Sequence, residues 1–287
     1  MKIKIGIISL IFIFSIMIFS CGHITGFFNN VSNAASASAE AISTANEDIT
    51  PEQEYYIGRA VAANLLGRYK LYTRNQNLTT YLNKICAAIA INSPQPDIYN
   101  GYHVAILDTD EINAFATSGG HIFVTRGIIG AADTEDGLAG IIAHEIAHIQ
   151  LRHGINAIKS SRKTQAWLVT GTAISGVAGG TDVKQLTDAL NESFMEFVQT
   201  LVSNGYSKAQ EFDADNKAIA LMASAGYNPA GLTKMLMALG HFQKPDSGFG
   251  KTHPSPEERI ANAQKSINKY KTTYKTARAK RFATATK

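Results

Sequence analysis

The chain has 287 residues, of which 45% are hydrophobic and 17% charged, with a formal net charge of +4 and two cysteines. That balance suits one main folded domain with a substantial core, gives no sign of nucleic-acid binding, and excludes a fold built on disulfides.

The first twenty residues stand apart. Lys2 and Lys4 precede an uncharged run, IGIISLIFIFSIMIFS, that ends at Cys21. This is the charged and apolar pattern of a secretory signal, short for a membrane-spanning helix. Its removal takes the net charge from +4 to +2, because no acidic residue precedes Glu40. The residues IFSC (18–21) place a small Ser directly before a Cys, which resembles a bacterial lipobox and would make Cys21 the lipid-modified N-terminus. Cleavage near NAASASAEA (33–41), or retention of the segment as an anchor, are the alternatives. The lipoprotein reading is preferred because it gives Cys21 a purpose. Cys86, in LNKICAAIA, then has no cysteine partner and reads as a small buried hydrophobe.

Residues 21–48, rich in Ser, Ala and Asn, read as a flexible tether. Structure is expected to begin at Thr50-Pro51-Glu52-Gln53, which combines an N-cap Thr, a Pro at the first helical position and a Gln that completes a capping box. A helix is predicted from there to about Tyr69, and a second over Asn77–Ile91. YHVAIL (102–107), INAFAT (112–117) and HIFVT (121–125) read as strands, the last two joined through Ser118-Gly119-Gly120 as a tight hairpin. Asp133 or Thr134 should cap the next helix, with Gly154 as its C-terminal stop. The segment 164–181 carries no charge, but its four glycines make it a packed or membrane-facing helical limb rather than a span. Helices follow at about 184–203, 207–225 and 229–242, the last capped by Asn228 with Pro229 at its first position. No 34-residue repeat is present.

The helix after Thr134 contains His144-Glu145-Ile146-Ala147-His148. Residues four apart share a helix face, so His144 and His148 can present two imidazole nitrogens to one ion, with Glu145 beside it to take a proton from water. Two neutral histidines bind Zn²⁺ without cancelling its charge, which is what metal-assisted hydrolysis needs. A third ligand is required. The Gly and His that would mark a metzincin are absent, since Leu151 and Gly154 stand in those places. A carboxylate on a later helix remains, and the candidates are Glu192, Glu196 and Glu211. Only Glu211, in EFDAD, has an Asp four residues on. Asp215 can accept the N–H of a metal-bound histidine and fix its tautomer, so Glu211 is the preferred ligand.

Together HEIAHIQLRH, NAFATSGGHIFVTRG, SKAQEFDAD and THPSPEERI resemble the HtpX/Oma-type and CAAX-prenyl-protease zinc metallopeptidases over roughly Thr50–Ala263. The nearest likeness is to small periplasmic BepA-like members without the helical-repeat domain. The resemblance implies an α+β, mainly α-helical, gluzincin-type metallopeptidase domain over 49–264, followed by a basic C-terminal tail at 265–287. It implies one Zn²⁺ per chain held by His144, His148 and Glu211, with Glu145 as catalytic base. It assigns Asn113, Ala114 and Phe115 to an edge strand to which an extended peptide adds through its main chain. His253 is implied near the metal, either as oxyanion stabiliser or as inhibitory ligand, and Arg259 as a brace behind the site. His153, five residues past His148, is given no ligand role.

The expected function is a zinc endopeptidase of the periplasm, lipid-anchored through Cys21 to a membrane, that cleaves unfolded or misassembled cell-envelope proteins. The alternative is a chaperone-like assembly factor that binds extended segments with proteolysis gated off.

Overall fold

A computed structural model describes residues 48–98, 101–160, 205–242, 253, 255–271 and 275–286. The chain divides into two compact units, Met1–Asp48 with Lys159–Phe194, and Ile49–Ile158 with Met195–Lys287. In the first, the described residues include Lys159 paired with Asp48; nearly all others belong to the second. The signal segment with Cys21, the tether up to residue 47, the uncharged segment 164–181 and the helix expected at 184–203 lie outside the described residues. Among those described, no helix is long and apolar enough to cross a membrane.

The second unit opens with α1 (Pro51–Arg68). Its start follows the local rule: Gln53 N–H donates to Thr50 Oγ1 at 3.2 Å, and Thr50 N–H donates back to Gln53 Oε1 at 2.9 Å. Next come α2 (Gln76–Ile91), β1 (His103–Leu107), β2 (Ala114–Ala116) and β3 (His121–Thr125). A short α3 (Arg126–Gly130) leads to α4 (Glu135–Gln150), and a further helical stretch starts at His153. Then follow α5 (Lys208–Ser224), α6 (Ala230–Phe242), α7 (Pro256–Ile267) and α8 (Thr276–Ala285). The domain is mainly helical with one three-stranded sheet.

The sheet has the order β1-β3-β2, with β1 parallel and β2 antiparallel to β3. The expected hairpin is β2–β3, with Gly120 in its turn at φ +83°, a conformation that favours glycine. The outer side of β1 is closed by side chain and loop. Asn83 Nδ2 donates to Val104 O at 2.7 Å and its Oδ1 accepts from Val104 N–H at 2.9 Å, while Tyr72 N–H donates to Ile106 O at 2.8 Å. The opposite edge is β2. Thr125 N–H donates to Asn113 O and Thr117 N–H to His121 O. By the alternation of an antiparallel ladder, Asn113, Phe115 and Thr117 turn their main chain to β3, while Ala114 and Ala116 turn theirs outward.

At the centre lies α4, buried at every position except Asp136. Ile141, Ile142, Ile146 and Ile149 each remove a full side chain from water, worth about 1.5–3 kcal/mol apiece. It packs on α2 and the sheet, and against α5, α6 and α8. Gly140 is required where α6 crosses, because a Cβ there would sit 2.9 Å from the Leu232 Cα.

A helix buried all round must find partners for its polar side chains. Gln150 donates to Ser93 Oγ at 2.9 Å and to the Tyr102 hydroxyl at 3.0 Å. Glu135, 1% exposed, accepts from the Tyr81 hydroxyl at 3.0 Å and from Arg281 Nε at 3.1 Å. The remaining three, His144, Glu145 and His148, face one another's neighbours in the candidate site.

One local expectation is corrected. The helix carrying the histidines ends at Gln150, not Gly154: Leu151 caps it, and Arg152 takes up φ 54°, the left-handed conformation usually left to glycine. The arginine is held there by Nε on Glu54 Oε2 at 2.9 Å and Nη2 on Ile49 O at 3.0 Å, which offsets a backbone cost of about 1–2 kcal/mol. The basic C-terminal tail carries α8 and is tied to α4: Arg281 pairs with Glu135, and Arg278 Nε lies 3.1 Å from Asp136 Oδ1.

Candidate metal centre

Three elements converge. The α4 helix supplies His144, Glu145 and His148, α5 supplies Glu211 in its first turn and Asp215 one turn on, α7 supplies Arg259, and His253 lies three residues before α7 begins. The α5 start is set by a Ser207–Gln210 capping box, which fixes the turn that carries Glu211.

His144 Nε2 and His148 Nε2 are 3.0 Å apart, and each lies 3.4 Å from a Glu211 carboxylate oxygen. His253 Nδ1 is 2.7 Å from Glu211 Oε2. One donor atom from each of these four residues lies within 4.8 Å of the others, and all four residues are buried. Three tetrahedrally disposed ligand atoms about 2 Å from a zinc ion stand about 3.3 Å apart, so the two imidazoles and the carboxylate fit one. A second observation agrees with a cation between them. Glu211 is fully buried, and its Oε1 makes no hydrogen bond among the described residues, a cost that a bound cation removes.

Behind this triangle the groups are tightly paired. His144 Nδ1 is 3.0 Å from Asp215 Oδ1. Arg259, 1% exposed, donates to both oxygens of Asp215, from Nε at 2.9 Å and Nη2 at 2.7 Å, and its Nη1 is 3.3 Å from Glu211 Oε2. The electrostatics follow from these contacts. Burial and the Arg259 charge push His144 down, but hydrogen bonds to Asp215 and Glu211 outweigh them and raise it to about 9. Burial depresses His148 to about 3 against the pull of Glu211. Glu211 is driven well below the carboxylate range despite burial, by His253, Arg259 and both histidines. The cluster therefore keeps Glu211 and Asp215 ionised and at least one imidazole neutral, the state in which such groups ligate.

Glu145 sits differently. Its carboxylate is 3% exposed, Oε1 has no hydrogen-bond partner among the described residues, and burial raises its pKa to about 7. It lines a narrow cleft together with Ala114, Phe115 and Ala116 of the sheet edge, Val61 and Leu65 of α1, and His253. A buried carboxylate of raised basicity facing an open cleft is suited to accept a proton.

Of the residues singled out from sequence, His144, Glu145, His148, Glu211, Asp215, His253 and Arg259 come together here. Glu192 and Glu196 lie outside the described residues, as does Cys21. Asn113, Ala114 and Phe115 lie on or beside the sheet edge, but Asn113 is 1% exposed and its Oδ1 accepts the Ala114 N–H at 2.9 Å. The outward groups are thus Ala114 C=O and both main-chain groups of Ala116, a residue the sequence did not single out. Two more were missed. Tyr206 stacks on His148 with ring centroids 4.2 Å apart and planes at 18°. His153 Nδ1 lies 2.9 Å from His148 Nδ1. The only available signal for Tyr206 was its place directly before the cap of the Glu211 helix.

A buried helix bearing His-Glu-x-x-His, with a glutamate from a second helix against both imidazoles, defines the zincin class of metallopeptidase folds. The sequence profile of Peptidase family M48 matches residues 73–267, and the chain belongs to that family. The Beta-barrel assembly-enhancing protease of Escherichia coli (strain K12) is 26% identical over 229 residues, 78% of this chain and 46% of that protein. The Mitochondrial metalloendopeptidase OMA1 of Schizosaccharomyces pombe is 31% identical over 186 residues, 63% of this chain and 51% of that one. Metalloprotease LoiP of Escherichia coli (strain K12) is 28% identical over 187 residues, 64% and 69% of the two chains. The chain spans about half the length of the first two relatives.

Proposed function

We propose that the chain is a zinc-dependent endopeptidase that cleaves extended segments of unfolded or misassembled cell-envelope proteins. The observation that carries this reading is the position of Glu145: a buried carboxylate with an unpartnered oxygen, beside the His144–His148–Glu211 cluster and in the same cleft as an open strand edge. His144, His148 and Glu211 would hold Zn²⁺, which when bound polarises water and the scissile carbonyl. Ala114 C=O and the Ala116 main chain hold the substrate backbone as an added strand, which favours extended chains with little sequence preference. Glu145 accepts the proton of the attacking water at its free oxygen and passes it to the leaving amine. Asp215 holds the His144 ring through Nδ1, and Arg259 balances the charge of Asp215 and Glu211. His253 lines the cleft, and in its doubly protonated form it would donate to the developing oxyanion while Nδ1 stays on Glu211.

The envelope assignment draws on the secretory pattern of residues 1–20 and on a relative named for enhancing β-barrel assembly. On this reading the mature protein works in the periplasm, held at a membrane by a lipid on Cys21. A second reading, a chaperone-like factor with proteolysis gated off, is favoured by the 2.7 Å contact of His253 with Glu211, which puts His253 among the ligand atoms rather than clear of them. The test is zinc content by elemental analysis together with casein cleavage. One zinc per chain, lost in Glu211→Ala, with cleavage lost but zinc kept in Glu145→Gln, supports the peptidase. Full zinc without cleavage, and cleavage gained in His253→Ala, supports the gated reading. A folded wild-type chain that takes up no zinc refutes both.

A further inference from the structure

His144 and His148 carry their Nε2 atoms into the same cluster but differ in what stands behind them. His144 Nδ1 faces a carboxylate, Asp215. His148 Nδ1 faces another imidazole, Nδ1 of His153, at 2.9 Å. The two rings are 4.9 Å apart and nearly perpendicular, at 71°, and His153 is 5% exposed.

On an unbroken helix a residue five past His148 is rotated about 140° away from it. His153 reaches His148 only because α4 stops at Gln150 and Arg152 reverses the chain at φ 54°. The left-handed arginine, tied down by Glu54 and Ile49 O, is the backbone device that delivers this imidazole. Strain that the surroundings hold in place beside a site is grounds for assigning the delivered group a task.

We propose that His153 is the positioning residue of His148, setting its tautomer and ring orientation for zinc as Asp215 does for His144. The proposal rests on reading His148 as a ligand. For its Nε2 lone pair to face the cluster, His148 must carry its proton on Nδ1, and that N–H needs an acceptor. His153 supplies it as a neutral imidazole with its own proton on Nε2. A neutral acceptor also fits the charge already present: Glu145, Glu211 and Asp215 crowd the same interior, and a fourth carboxylate would add repulsion. Tyr206, stacked on a face of the His148 ring, completes the clamp.

The experiment compares His153→Phe, which keeps a ring but has no acceptor, with His153→Asn, whose Oδ1 replaces Nδ1. Zinc affinity is read by competition with a chromophoric chelator, independently of activity. His153→Phe is expected to weaken zinc binding about 10- to 100-fold, and His153→Asn to recover most of that loss. Unchanged affinity in His153→Phe, or equal losses in both variants, overturns the proposal and leaves His153 as packing. Should His153→Phe fail to fold, the imidazole nitrogen resonances of the zinc-loaded wild type decide: a proton on His153 Nε2 supports the proposal, and one on Nδ1 overturns it. A wild type that binds no zinc overturns the ligand reading as well, whereas a wild type that binds it with indifferent His153 variants overturns this inference alone.

Discussion

Arg259 is the place where the site and the stability of the domain meet. It is 1% exposed and lies between two buried carboxylates, bidentate on Asp215 at 2.7 and 2.9 Å and 3.3 Å from Glu211. Replacing it by Met keeps apolar volume but strands Asp215 in the core. Removing one partner of a buried pair costs about 3–5 kcal/mol, because the remaining charge has neither water nor counter-ion. For a unit of 150–250 residues each kcal/mol moves Tm by about 2–4 °C, so the zinc-free Arg259→Met protein should melt about 6–20 °C lower. The double variant Asp215→Asn/Arg259→Met removes both charges and leaves His144 an oxygen acceptor, so it should regain at least half of the loss. Urea unfolding at pH 7 with a constant slope measures both differences. A single variant that loses less than about 1 kcal/mol, or a double variant no better than the single, would show that Arg259 is not the counter-ion described.

The same pair predicts a pH dependence. Asp215 stands at about 2 against an ordinary 3.8: burial pushes it up, but Arg259 and His144 outweigh it. A folded value below the unfolded one means stability that is complete above about pH 5 and disappears as pH falls toward 2. About two units correspond to roughly 2–3 kcal/mol. Wild type should lose that much more than the double variant between pH 5 and 2, and parallel curves would count against it. Ala116→Pro removes an outward N–H from the sheet edge while leaving the metal cluster alone. It should lower casein cleavage up to about tenfold at unchanged zinc content, and full activity would move substrate binding away from β2. Cys86 is fully buried and its thiol is pushed up to about 12 by burial, so in a Cys21→Ser chain no thiol should react with a disulfide reagent at pH 8 until denaturant is added. Reaction in the folded protein would place Cys86 outside the core.

What could be read from the residues was what local geometry decides. Thr50, Pro51 and Gln53 announce a helix start because a capping box is complete within four residues. His144 and His148 announce a shared face because four residues make one helical turn, and the spacing of Glu211 and Asp215 works the same way. The strand order was not legible, since β1 pairs with β3 and not with β2, the strand that follows it in sequence. Nor was it legible which edge has no partner strand among the described residues, since the other is covered by the distant side chain of Asn83. The helical argument that turns His153 away from His148 holds only while the helix runs, and the helix ends at Gln150; nothing in the composition of Leu151-Arg152 marks a residue that will adopt positive φ. Tyr206 lies in a short lead-in without periodic pattern. In α8 the charges show no local partner, because Glu135 and Asp136, which pair with them, lie some 145 residues earlier.

That last contact makes one helix depend on a segment far from it in the chain. Glu135 begins the helix that carries His144, Glu145 and His148, and the cation that balances it, Arg281, lies 146 residues later. Until the two meet, burying that carboxylate without a counter-charge costs about 3–5 kcal/mol. The helix can settle into its final buried place only once α8 has docked, so loss of α8 would loosen the His144–Glu145–His148 cluster without removing any of its residues.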